Sequence, residues 1–149
     1  MRIEACFDSH VHWAATGEFA AKLRLESLSS PALVEQLQIE KHHQRGEWLT
    51  GFGWDENKWS EKPHRRFLDQ KFGAQPVAFS RCDAHALWVN TEALQRAGLW
   101  TQSSDKATDG RIERDAEGWP TGVLVDRAAE PVEKVIPKPQ AFDLRRHLL

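Results

Sequence analysis

The chain has 149 residues, 40% of them hydrophobic and 28% charged, with a formal net charge of −2, the composition of a soluble domain with apolar material for one core. That balance excludes a broad nucleic-acid footprint, which needs a concentrated Lys/Arg surface, and no apolar run approaches the roughly 20 residues of a membrane-spanning helix. The start, MRIEACFDSH, lacks the apolar stretch of a secretory signal, and two distant cysteines, Cys6 and Cys82, suggest neither a disulfide framework nor a cysteine metal cage.

These features lead us to expect a cytoplasmic protein with a small-molecule partner, no nucleic acid and no membrane. Seven tryptophans and no tyrosine make a skewed aromatic set, used either as core filler or as walls of ligand pockets.

Residues 2–8 alternate Ile3, Ala5 and Phe7 with Arg2, Glu4 and Cys6, the period of a strand buried on one face. The stretch 18–28 reads as the start of a helix passing into a short strand. A helix is expected next, with Ser30 as N-cap, Pro31 at its first position, an apolar stripe of Leu33, Val34 and Leu37, and Gly46 past its end. Residues 47–54 read as a strand running into a glycine-punctuated turn, and 55–73 as a polar connection with one helical turn around Arg66 to Lys71.

Residues 76–83 are a second strand leading through AHALWVN to a helix capped by Asn90 and ended by Gly98. After a solvated loop, 110–125 has the shape of a hairpin turning at DAEG. A helix follows over DRAAEPVEKVI, with Pro131 confined to its first turns, and the last residues open a new amphipathic segment.

The stretch FDSHVHW, residues 7–13, carries the chemistry. His10 and His12, at i and i+2 on a strand, project to one face and can direct imidazole nitrogens at one point beyond the strand end. Divalent zinc accepts neutral imidazoles, and Asp8 can orient a ligand. Two ligands are too few, since a catalytic zinc usually takes three from the protein and an open position for water. The other imidazoles in the chain are His42, His43, His64, His85 and His147. The competing reading is a pair of polar residues where a strand meets a loop.

The flanking residues decide in favour of the first reading. FDSHVHW resembles the opening signature of the amidohydrolase superfamily, Asp-x-His-x-His after the first strand of a (β/α)8 barrel. GFGWDENKW (51–59), LD (68–69), PVAFSRCDAHALWVNTEALQRAGL (76–99) and GRIERDAEGWPTGVLVDRAAEPVEKVIP (110–137) are similar, in order and spacing, to the amidohydrolase family 3 branch. That branch includes N-substituted formamide deformylase-like proteins.

The resemblance implies hydrolysis of an amide, formamide or carbamoyl-type C–N bond through a metal-activated water, with His10 and His12 as metal ligands, Asp8 as an orienting acid in the catalytic group, and a divalent metal, commonly zinc, as cofactor. It also implies an α/β fold: 1–46 as the first strand and helix of the barrel, 47–137 as an inserted α/β subdomain at its mouth, and 138–149 as the start of the next barrel helix. A (β/α)8 barrel takes about 250 residues, with a lower limit near 200, so the expectation is an incomplete barrel, an amino-terminal fragment inactive by itself.

Substrate-binding candidates follow the predicted strands: Trp54 and Asp55 after the glycine-rich turn, then Asp83, His85 and Asn90, with His85 the best placed for a substrate contact or proton shuttle. Against these stand a packing tryptophan in a surface turn and an Asn90 that only caps a helix. Asp126 sits where relatives often have a glutamate, and an acid complementing a helix dipole is the simpler reading there. A different class of function is a non-catalytic α/β binding module that self-associates, as a homodimer, through exposed apolar surface.

Overall fold

The strands expected within 47–54 and 76–83 are present in the computed structural model, which describes residues 21–102 and 109–138. The expected strand at 2–8, with Asp8, His10 and His12, and the segment 139–149 lie outside the described residues. Residues Lys22–Lys138 form a compact unit.

Its strands are β1 (Leu23–Arg24), β2 (Gln44–Arg45), β3 (Trp48–Trp54), β4 (Val77–Arg81), β5 (Ala86–Val89), β6 (Gly110–Arg114) and β7 (Pro120–Asp126). Its α-helices are α1 (Arg65–Phe72), α2 (Thr91–Arg96) and α3 (Glu130–Val135). Among the described residues the strands make one open, seven-stranded mixed sheet in the order β1-β3-β4-β5-β7-β6, with β2 paired to β3. β3 is parallel to both β1 and β4; β4, β5, β7 and β6 then run antiparallel to their neighbours. None of the described helices is long and apolar enough to cross a membrane.

Both faces of this sheet are covered, which is why Val77–Phe79 of β4 and Ala86–Val89 of β5 are apolar at every position instead of every second one. Val77, Phe79, Ala86, Trp88 and Val123 point to a first core with Leu68 of α1 and Val34 of a 3-10 turn at Pro31–Gln36. Ala78, Leu87, Val89 and Leu124 point to a second core with Ala93 and Leu94 of α2 and Val132 of α3. Each fully buried large apolar side chain contributes about 1.5–3 kcal/mol, against at most about 1 kcal/mol for an exposed ion pair. The two cores, not the surface salt bridges, therefore hold the unit together.

The first core is built around rings. Trp54 stacks on Trp59 at 5.9 Å between centroids, and Trp88 meets them edge-on at 6.1 and 5.6 Å. Trp54 Nε1 donates to the Phe79 carbonyl and Trp59 Nε1 to that of Leu28, each at 2.7 Å. Gly51 lies opposite Phe79 in the parallel register, and a Cβ on it would come within 2.6 Å of the Phe79 ring. The glycine in GFGW is the space that ring occupies.

Two sequence expectations need correcting. Ser30 does cap, its hydroxyl accepting from Ala32 N, and Pro31 does open the element, but the element is a 3-10 turn that ends where Leu37 turns extended. Beyond Leu37 only Ile39 packs on the core, so a longer helix would have no apolar face to bury. The chain instead reaches β2, and Gly46, with φ +60°, turns the hairpin into β3. The 76–98 segment is likewise strand, strand, helix and not strand then helix: β4 and β5 form a hairpin before α2. The helix capped by Asn90, the 110–125 hairpin and the following helix with Pro131 in its first turn are as expected.

Helix α1, eight residues where one turn was expected, is capped by His64, whose Nδ1 accepts the Arg66 N–H at 3.2 Å. Burial, and then the positive charges of Arg65 and Arg66, hold this imidazole below its ordinary range. Only the unprotonated nitrogen can accept that bond. The cap is therefore intact above the unfolded-state value of 6.5 and is lost as the pH falls through the lower folded-state value. His64→Asp, which caps without titrating in that range, should remove a loss of about 1 kcal/mol from the stability difference between neutral and mildly acidic solution, read from denaturant midpoints.

Candidate functional site at the carboxyl edge of the sheet

In open α/β sheets, ligands bind outside the carboxyl ends of the parallel strands. Here that edge is formed by the ends of β3 and β4, the β4–β5 turn and the end of β7. Asp55 follows β3, and its Oδ1 accepts from both the backbone and the side-chain nitrogen of Asn57, at 3.1 and 3.0 Å, capping the turn at Glu56–Lys58. Desolvation pushes its carboxyl up, but the Asn57 and Lys58 interactions outweigh this and leave it below the usual carboxylate range.

Arg81, the last residue of β4, is the hub of the edge. Its Nε and Nη2 donate to the two oxygens of Asp83, both at 2.9 Å, and its Nη1 donates to Glu56 at 3.0 Å. The hydrogen bond from Arg81 is the main cause holding Asp83 below the usual carboxylate range, and the same bond raises the guanidinium further. Asp83 Oδ1 also accepts the His85 backbone N–H at 3.0 Å. The antiparallel register Ala86↔Val125 then sets His85 opposite Asp126. The Asp126 N–H donates to the His85 carbonyl at 2.8 Å, and His85 Nδ1 lies 3.2 Å from Asp126 Oδ1.

The result is one chain of polar contacts, Glu56–Arg81–Asp83–His85–Asp126, drawn from four separate elements. Its last pair is open to solvent, with side-chain exposures of 71% for His85 and 53% for Asp126. An exposed ion pair is worth at most about 1 kcal/mol. The backbone around it is strained, since Ala84 has φ +62° and Asp126 φ +52°, and such residues cost about 1–3 kcal/mol each. Stability alone does not account for the arrangement.

The structure thus brings Asp55, Asp83 and His85 to one edge, but not Trp54 or Asn90. Trp54 is 0% exposed, with its ring in the first core, so in this unit it offers no face to a solute. Asn90 is equally buried, at the opposite end of β5: its Oδ1 accepts from Val77 N and Ala93 N, and its Nδ2 donates to the carbonyls of Gly73 and Gln75. All four of its bonding positions are filled by backbone. Asp126 stands at the N-cap position of the following 3-10 turn, as the helix-dipole reading expected, but its carboxylate makes no cap bond there and faces His85. Sequence reasoning missed Arg81 and the pairing of Asp126 with His85.

Among the described residues no group of three or more His, Cys, Asp or Glu is arranged to hold a metal ion. His42 lies 3.2 Å from Glu40, His43 Nδ1 accepts from Glu40 N, and His64 caps α1. A donor set for a divalent metal is therefore sought in the Asp8, His10 and His12 motif.

Residues 5–148 match the amidohydrolase family across almost the whole chain. The chain belongs to the amidohydrolase family. This bears out the resemblance carried by FDSHVHW and the later blocks. Among amidohydrolase relatives, the Bacillus subtilis (strain 168) protein named amidohydrolase YtcJ is 37% identical over 134 residues, 87% of this chain and 25% of its own length. The N-substituted formamide deformylase of Arthrobacter pascens is 27% identical over 128 residues, covering 82% of this chain and 23% of its own. A solved structure of an uncharacterized metal-dependent hydrolase from Pyrococcus furiosus superposes with a TM-score of 0.63 at 25% identity, covering 95% of this chain and 27% of that one. A second, from Pyrococcus horikoshii OT3, gives 0.59 at 26% identity, covering 87% and 23%. This chain spans about a quarter of the length of the curated relatives it matches.

Proposed function

We propose that this chain is a portion of a metal-dependent hydrolase that cleaves amide, formamide or carbamoyl-type C–N bonds with an activated water. The observation that carries the reading is the family match over residues 5–148, which takes in Asp8, His10 and His12. Two neutral imidazoles and a carboxylate are donors that suit a divalent ion of zinc's borderline character. Residues 1–46 then begin the barrel, 47–137 are the inserted subdomain and 138–149 lead to the next barrel helix.

His10 and His12 hold the ion and Asp8 orients them. When bound, a divalent cation lowers the pKa of a coordinated water to about 7 and polarises the substrate carbonyl. Asp55, Asp83 and His85 supply hydrogen-bonding groups for the substrate. Trp54 and Asn90 stay in the framework.

The test is zinc content and turnover of the purified chain. Zinc should be retained after dialysis, and affinity should drop at least about 100-fold in the His10→Ala, His12→Ala variant. Equal retention in both would remove the metal reading and favour a non-catalytic binding module. On these 149 residues alone we expect ion binding without turnover of formyl, carbamoyl or dipeptide amides, because two imidazoles fall short of the three protein ligands a catalytic zinc usually takes.

A further inference from the structure

His85 is held at three points although its ring is exposed: its backbone N–H by Asp83, its carbonyl by Asp126 N, and its Nδ1 by the Asp126 carboxylate. An ionised carboxylate can only accept a hydrogen bond, so a neutral His85 ring facing Asp126 carries its proton on Nδ1. That leaves the Nε2 lone pair as an acceptor on the exposed side of the ring. The ring is oriented by this carboxylate, and the backbone that carries it is held by the Asp83 bond that Arg81 and Glu56 lock in turn. Nothing in the described residues uses Nε2.

We propose that His85 Nε2 accepts a hydrogen bond from the N–H of a mono-N-substituted amide, with Asp126 as the positioning residue that fixes the tautomer. The choice of an amide rests on the function proposed above, whereas the acceptor state of Nε2 rests on the His85–Asp126 geometry alone. An acceptor at this point selects between amides. A secondary amide offers an N–H and a tertiary amide does not, and a site built to bond such a group discriminates against the analogue that lacks it. Arg81 acts through Asp83 and has no contact of its own with the ligand.

Nitrogen-15 spectra of the full chain, recorded in zinc at mildly alkaline pH, give the test. Expected are the Nδ1–H tautomer for His85 and a shift of its Nε2 resonance on titration with N-phenethylformamide, with N-methyl-N-phenethylformamide at least about tenfold weaker. Asp126→Asn, close to isosteric, should release the tautomer and reduce the tenfold preference while leaving the denaturant midpoint nearly unchanged. His85→Ala should abolish the preference, and His85→Gln, whose amide oxygen can accept, should restore part of it. An Nε2–H tautomer in the unaltered chain, equal shifts with both formamides, or no shift with either would overturn the proposal. Zinc retention in the His10→Ala, His12→Ala variant is read separately, so a failed metal reading and a failed acceptor are distinguishable.

Discussion

Replacing Trp54 with alanine should lower the stability of the chain by about 3–5 kcal/mol, the range for removing a large buried ring from a packed core. The side chain is 0% exposed. It stacks on Trp59, meets Trp88 edge-on and donates from Nε1 to the Phe79 carbonyl at 2.7 Å. The alanine variant leaves a cavity on the side of the sheet where three indoles pack together, and it removes a side-chain hydrogen bond from a carbonyl inside β4. Trp54→Phe separates these effects: it keeps most of the ring and forfeits the hydrogen bond, so about 0.5–1.5 kcal/mol is expected from the lost bond. Urea midpoints at matched slopes check both values. A ring serving as a pocket wall would give the opposite pattern, with weakened amide binding and a nearly unmoved midpoint.

The contrast between Trp54 and its neighbour Asp55 shows how far a sequence reading reaches. Both stand after the glycine-rich turn, and a strand was expected there. Which way each points depends on the bulge between Phe52 and Trp54, where Gly53 adopts φ +105°. A bulge shifts the alternation by one residue and sends the following side chains to other faces. Period and glycine content reveal the strand but not the shift, so they leave open whether the indole walls a pocket or packs, and the bulge sends it into the core.

The same logic divides the rest. β4, the β6–β7 hairpin and the caps at Ser30 and Asn90 were legible because each is specified by residues close in sequence. The Asp8, His10 and His12 motif was legible for the same reason, as a family signature within one short stretch. The His85–Asp126 pair was not, since the two residues are 41 apart and meet only through the β5–β7 register. The helix expected after Pro31 failed in the other direction: its N-cap was right locally, but no surface remained to receive its second half. Local chemistry sets where elements start. Pairing and burial decide how long they run and what they bring together.

Asn90→Ala should be almost as damaging as the loss of Trp54, about 3–4 kcal/mol, well above the roughly 1 kcal/mol of an ordinary helix cap. The asparagine does three jobs from one buried position. Its Oδ1 caps α2 through Ala93 N and also accepts from Val77 N at the start of β4, both at 3.1 Å. Its Nδ2 ties down the carbonyls of Gly73 and Gln75 in the turn that leaves α1. Alanine leaves all four backbone groups without this partner, and in a low-dielectric interior each unmade bond costs more than the net gain from making it. Asn90→Asp keeps both accepted bonds but sets a carboxylate against two carbonyl oxygens, so it should be no milder than alanine. A cap alone would tolerate aspartate almost freely. Denaturant midpoints for the two variants therefore distinguish a helix cap from the four-way clasp that joins α1, β4 and α2.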